Sequence, residues 1–179
     1  AQGAKGVLYW QYRKERQGLE MGGLGLVDQA GRATPNTTMA STIAKTLNRN
    51  AELFDGLKPW RAEVALVFSP LSYHANWVNT RDNHVASDCL SGYFKAFWDA
   101  NVPVDIIHEE FVSRIDLDRY KLVVTPFPVM LHPNLLANLN SFIEEGGTLL
   151  SDPFFCCLDA RGWLQDEIPG HGWHKVFGV

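Results

Sequence analysis

The sequence predicts an α/β fold, a doubly wound parallel sheet preceded by a segment of different architecture. Two observations predict it. From Glu63 onward, short apolar runs alternate with helical patterns, and strands separated by helices imply parallel pairing with right-handed crossovers. Before Glu63 that alternation is missing, which sets the opening segment apart.

The first run, Glu63 to Phe68 (EVALVF), is nearly continuous in apolar residues, as expected of a strand buried on both faces. A stretch rich in Ser, Asn and aromatics follows and reads as a loop. Ala86, Leu90, Tyr93, Phe94, Phe97 and Trp98 then recur at spacings of three and four, one stripe of a helix. Val104 to Ile107 is the second strand. Lys121 to Phe127 is the third, stopped by Pro126 and Pro128, which cannot donate to a ladder. Pro133 opens a helix whose apolar face is Leu135, Leu136, Leu139, Phe142 and Ile143, and Gly146-Gly147 closes it with a left-handed cap. Thr148 to Asp152 is the fourth strand. This succession is that of a flavodoxin-like sheet with helices on both faces.

The opening segment reads as a strand at Gly6 to Tyr12, a polar loop, an extended piece at Leu24 to Asp28 and a turn at Gln29 to Arg32. Thr34-Pro35 then caps a helix with apolar positions Met39, Ile43, Leu47, Ala51 and Phe54. A lone strand and helix leave backbone groups and an apolar face unsatisfied. The expectation is therefore that residues 1–58 complete another domain lying upstream, and that residues 59–179 form the sheet domain. The irregular, aromatic-rich end from Gly162 to Val179 looks like a cut.

Composition narrows the function. The 179 residues are 46% apolar and 20% charged, so a packed core is expected rather than disorder. A net charge of −4 without a clustered basic run argues against nucleic acid, whose binders depend on phosphate contacts. No apolar stretch reaches the roughly 18 residues of a membrane span. Three Cys without a CxxC pair suggest reduced thiols and a cytoplasmic location.

Candidate chemistry is sparse. Cys156 and Cys157 follow the fourth strand, where doubly wound folds place ligands, but no Gly-flanked elbow surrounds them. His74, His84, His108, His132, His171 and His174 show no metal-like spacing. The run after Phe68 has no Gly to cradle a flavin phosphate, and GGLGL at Gly22 to Leu26 opens no helix, so no cofactor is expected. Trp10 and Glu20 stand on and just beyond the lone strand. At that end of a barrel strand, an aromatic face and a carboxylate can hold a sugar, and equally a Trp can anchor the strand beside a solvated Glu.

GVLYWQYRKERQGLEMGGLGLVDQAGRAT resembles the end of the catalytic barrel in glycoside hydrolase family 42 β-galactosidases. EVALVFSP, LSGYFKAFWDANVPVDII, DLDRYKLVVTPFPVML, FIEEGGTLLSDP and the closing PGHGWHKVFGV are similar to that family's trimerisation domain. The resemblance implies a flavodoxin-like, class I glutamine amidotransferase-like domain that assembles homotrimers and walls a neighbouring active site. It implies a retaining mechanism for terminal β-D-galactosides, with two Glu about 5 Å apart that lie upstream of Ala1. Carried over, Trp10 matches the aromatic of the last barrel strand and Glu20 the loop carboxylate on the galactose ring. Where some members have His three residues later, this sequence has Gly23.

The leading expectation is a non-catalytic trimerisation and scaffold segment of a galactoside hydrolase. The alternative is a stand-alone amidotransferase-like enzyme using Cys156 or Cys157. A binding module without chemistry is a third reading. Aromatics from Ser69 to Trp77 and around Trp163 and Trp173 are expected as interface anchors, or as core.

Overall fold

A computed structural model of the chain describes residues 6–18, 25–58, 60–114 and 117–179. It divides into two compact units, Ala1–Pro59 and Trp60–Val179.

In the first unit the helix expected after Thr34 forms as α1 (Pro35–Arg49), followed by a short α2 (Ala51–Gly56). Thr34 accepts from the Thr37 backbone N–H while the Thr37 hydroxyl accepts from Thr34 N, a reciprocal capping box. Asn50 interrupts the stripe between the two helices, and neither helix has a buried residue. Met39, Ile43, Leu47 and Phe54 are all exposed. The strand expected at Gly6 to Tyr12 is not a regular strand. Instead, the Gln11 and Tyr12 carbonyls accept from Leu26 N and Val27 N at 2.9 Å each, and Arg13 bridges Val27 in parallel. A ladder needs a run of such rungs, and among the described residues this pairing provides a single bridge.

The second unit carries the four strands: β1 (Val64–Phe68), β2 (Val104–His108), β3 (Leu122–Thr125) and β4 (Thr148–Ser151). All pairs are parallel and the order is β2-β1-β3-β4. The side-chain period of two sends alternate residues to opposite faces. Ala65, Val67, Ile107 and Val123 enter one buried cluster with Leu135 and Leu139 of α5 (Pro133–Glu144), joined by Phe155 and Trp173. Val64, Leu66, Val104 and Val124 meet Leu90, Tyr93, Phe94 and Phe97 of α4 (His84–Asp99) on the other face.

Two expectations about this unit are corrected. The stretch after Phe68 is a helix, α3 (Pro70–Thr80), with Ser69 as N-cap accepting from Ser72 N. Ser, Asn and β-branched residues weaken its periodicity, yet Ala75 and Asn76 pack inward at helical spacing from Ser72. The chain end, expected to be irregular, closes in a short helix, α6 (His174–Phe177); of the two places open to Trp173 it takes the core, its ring 4.8 Å from Phe155.

Helix α5 ends as its sequence indicates. Gly146 adopts φ +94°, Gly147 N bonds Phe142 O at 2.8 Å and Gly146 N bonds Ile143 O at 3.0 Å, the paired closure of a Schellman motif.

Candidate functional site

In this strand order β1 leads outward to β2 on one side, while β3 leads to β4 on the other. The carboxyl ends of β1 and β3 are therefore the switch point at which open α/β sheets bind ligands. What fills that place decides what the domain can do.

Glu109, directly after β2, is fully buried there. Its Oε1 accepts the Ser69 hydroxyl at 2.9 Å and the Leu71 backbone N–H at 3.2 Å. Its Oε2 accepts the His132 backbone N–H at 3.0 Å. Leu71 lies in the first turn of α3 and His132 caps α5, so one carboxylate meets the positive ends of two helices. Beside it the Ser72 hydroxyl donates to Met130 O at 2.7 Å. A fully buried carboxyl group held by three donors serves the fold, and with no exposed surface it does not reach a substrate.

A second carboxylate knot lies at the ends of β3 and β4. Asp152 Oδ1 accepts the Tyr93 hydroxyl at 2.7 Å, and Oδ2 accepts Phe127 N at 2.9 Å. Phe127 has φ +46°, so the tight turn after β3 presents a phenyl ring rather than a nucleophile. Burial, then the bond to Asp152, pushes the Tyr93 hydroxyl up to about 12.

The cysteines do not support an amidotransferase-like activity. Cys156 is fully buried, and burial pushes its thiol up to about 12. Burial also raises Cys157, whose Sγ lies 3.8 Å from Val129 O. Cys89 on α4 is raised by burial and by Asp152. A nucleophilic cysteine needs a stabilised thiolate, and all three sites favour the thiol.

Of the two sugar-site candidates, Trp10 is 65% exposed in the first unit, and Glu20 lies outside the described residues. Sequence reasoning missed Ser69 and Glu109, and it places His132 at the helix entry before Pro133, where it is the N-cap of α5. A signal existed for the first: Ser69-Pro70 is the same cap-and-proline pair as Thr34-Pro35. Glu109 carried a weaker one, an acid placed immediately beyond an apolar strand.

A parallel α/β domain whose strand-end crevice is filled by its own carboxylate and hydroxyls is a structural domain. Residues 62–179 match the family described as the β-galactosidase trimerisation domain, and the chain belongs to that family. It is 29% identical to β-galactosidase GanA of Bacillus subtilis over all of this chain and 26% of that protein. It is 34% identical to β-galactosidase BgaH of Haloferax lucentense over 84% of this chain and 21% of that protein. The chain thus spans about a quarter of the length of these curated relatives. Its fold matches a β-galactosidase structure from Bacillus circulans with a TM-score of 0.79 at 20% identity, covering 95% of this chain and 25% of that one. Among the described residues no helix is long and apolar enough to cross a membrane.

Proposed function

We propose that this chain is the assembly segment of a galactoside hydrolase and performs no chemistry by itself. In this reading residues 59–179 are a flavodoxin-like, amidotransferase-like domain that holds three copies together, in the cytoplasm and without a cofactor. Residues 1–58 are the C-terminal remnant of a β/α barrel and a linker. The parent protein cleaves terminal β-D-galactosides by the retaining two-carboxylate route, with both glutamates upstream of Ala1. Trp10 stacks on the sugar and Glu20 accepts its hydroxyls.

The observation that carries the reading is the trimerisation-domain match over residues 62–179. The filled switch point supports it, because Glu109, Ser69 and Ser72 are buried there and bonded within the domain. Two facts favour the barrel assignment. GanA aligns with the whole chain although the trimerisation match begins at residue 62. Helix α1 also carries an apolar stripe with no buried residue, as a helix does when it is shaped to cover a sheet.

The test is sedimentation equilibrium of the purified chain together with an aryl β-galactoside assay. A trimer without turnover is expected. A monomer at every concentration, or hydrolysis at an enzyme-like rate, would overturn the proposal.

A further inference from the structure

A closed ring of three copies cannot be built from one self-complementary patch. Each chain must offer two different surfaces, one fitting the other on the next copy. The second unit carries two exposed apolar surfaces, one edged by Arg81, whose neighbour Asp82 is turned to His84, and the other by Asp166.

The first runs along α3. Ser72, Ala75 and Asn76 face inward, which turns His74, Trp77, Val78 and Arg81 outward as one stripe at spacings of three and four. Trp77 is 49% exposed and Val78 65%, and Arg81 makes no ion pair among the described residues.

The second is the loop after Cys157. Leu158 bridges Leu164 in antiparallel fashion, and Asp159 N bonds Trp163 O at 2.8 Å. Gln165 N holds Cys157 O at 2.8 Å, which fixes the loop to the core residues before it. The loop nevertheless leaves Trp163 65% and Leu164 69% exposed, with Ile168 also outward. Its rim is acidic. Asp166 is exposed and makes no ion pair among the described residues, and Glu167 is exposed beside His174. The one arginine there, Arg161, lies over the Trp163 ring and is held by Asp159 at 2.9 Å.

The two surfaces belong to different elements, α3 tied through Ser72 to Met130 and the Trp163 loop tied through Leu158 N to Val129 O. Helix α3 packs on α4, whose buried face covers Leu66 and Val124. The Trp163 loop is tied to Cys157 through Gln165 N, next to Phe155 and Cys156 of the other cluster. They are two different surfaces of one chain, as a heterologous contact requires.

We propose that the α3 stripe of one copy docks on the Trp163 loop of the next, with Arg81 facing Asp166. The proposal rests on the homotrimer reading and names its interface. Aromatic residues at the centre of a contact ringed by charged ones are the usual arrangement of an association surface.

The test is sedimentation equilibrium on the full chain and its variants, with circular dichroism as the check of folding. Trp77→Ala and Trp163→Ala should each weaken association by roughly 30-fold, the effect of losing a central aromatic anchor. Arg81→Glu should weaken it by about 10-fold through like-charge contact with Asp166, and Arg81→Glu with Asp166→Arg should restore it to within about 3-fold. Both charge sites are exposed, so the exchanges disturb no buried contact, and circular dichroism checks that the variants fold. A wild-type chain that never trimerises would sink the homotrimer reading and this interface together. A wild-type trimer that tolerates all four variants would overturn this interface alone and leave the trimer standing. Rescue by the paired reversal distinguishes a direct contact from general loss of stability.

Discussion

Ser69 and Glu109, 40 residues apart in sequence, share a 2.9 Å hydrogen bond in the interior of the second unit. Through it the end of β1 is fixed to the end of β2, and the same carboxylate also gathers the first turn of α3 and the cap of α5. Removing it leaves the Leu71 and His132 N–H groups without an acceptor, while the Ser69 hydroxyl can turn to Met130 O at 3.0 Å. Glu109→Ala should lower unfolding free energy by about 2 kcal/mol or more, at 1 to 3 kcal/mol for each buried donor left unsatisfied. Glu109→Gln, which keeps one acceptor oxygen, should cost on the order of 1 to 2 kcal/mol. Urea denaturation followed by tryptophan fluorescence measures both, and equal midpoints for wild type and Glu109→Ala would show that the knot is not structural.

Gly146 and Gly147 should respond differently to substitution although they are neighbours. A Cβ on Gly147 would lie 2.3 Å from Phe142 Cζ, a ring buried in the core cluster. Gly146 has open space around it and is limited only by its φ of +94°. Gly146→Ala should cost about 1 kcal/mol, the left-handed penalty. Gly147→Ala should cost about 2 to 3 kcal/mol by overpacking. The ordering of their urea midpoints is the readout, and the reverse order would mean that Phe142 yields easily.

Tyr93 and Asp152 tie α4 to the end of β4, while Asp152 also holds the turn at Phe127. Tyr93→Phe removes one bond and should cost about 1 kcal/mol. Asp152→Ala releases both partners and should cost about 2 kcal/mol or more. If the two variants unfold at the same urea concentration, the Phe127 N–H does not depend on Asp152.

The thiol of Cys156 gives the domain an alkaline limit. Its folded value stands near 12 against 9.0 for an unperturbed thiol, because burial disfavours the thiolate. An unfolded chain therefore loses that proton first as pH rises. The contribution is complete below pH 9 and is lost between 9 and about 12. Unfolding free energy should fall across that window, and Cys156→Ala should flatten the fall. A thiol reagent at pH 8 should label Cys156 only as denaturant opens the core; rapid labelling in buffer would revive a reactive-cysteine role.

Much of the second unit was legible because its strands are short apolar runs and its helices keep a clean stripe. Val64 to Phe68 and Leu135 to Phe142 fall where the pattern puts them. Helix α3 was not legible by period, since its buried face is Ser72, Ala75 and Asn76 rather than large apolar residues. Its start was legible from Ser69-Pro70. The site itself was hidden for a different reason. Glu109 meets Ser69 and His132 only after β1, β2 and the entry to α5 have been brought together, and no local pattern encodes a contact across such separations. Trp173 shows the limit of reading aromatics, since the same residue type anchors either a core or an interface, and burial alone decides.

The strand order has a consequence for how the chain is made. Strand β1 is central, yet both of its partners lie later in the sequence. On a ribosome adding about 5 to 20 residues per second, Val64 to Phe68 emerges some seconds before β2 can reach it. During that interval an apolar strand with two open edges is exposed to neighbouring nascent chains. The segment synthesised in the meantime is α3 and α4, and the ring-bearing face of α4 packs against Leu66. The helical hairpin can thus shelter the strand on one side until its first partner arrives, which makes α4 an internal escort as well as part of the finished core.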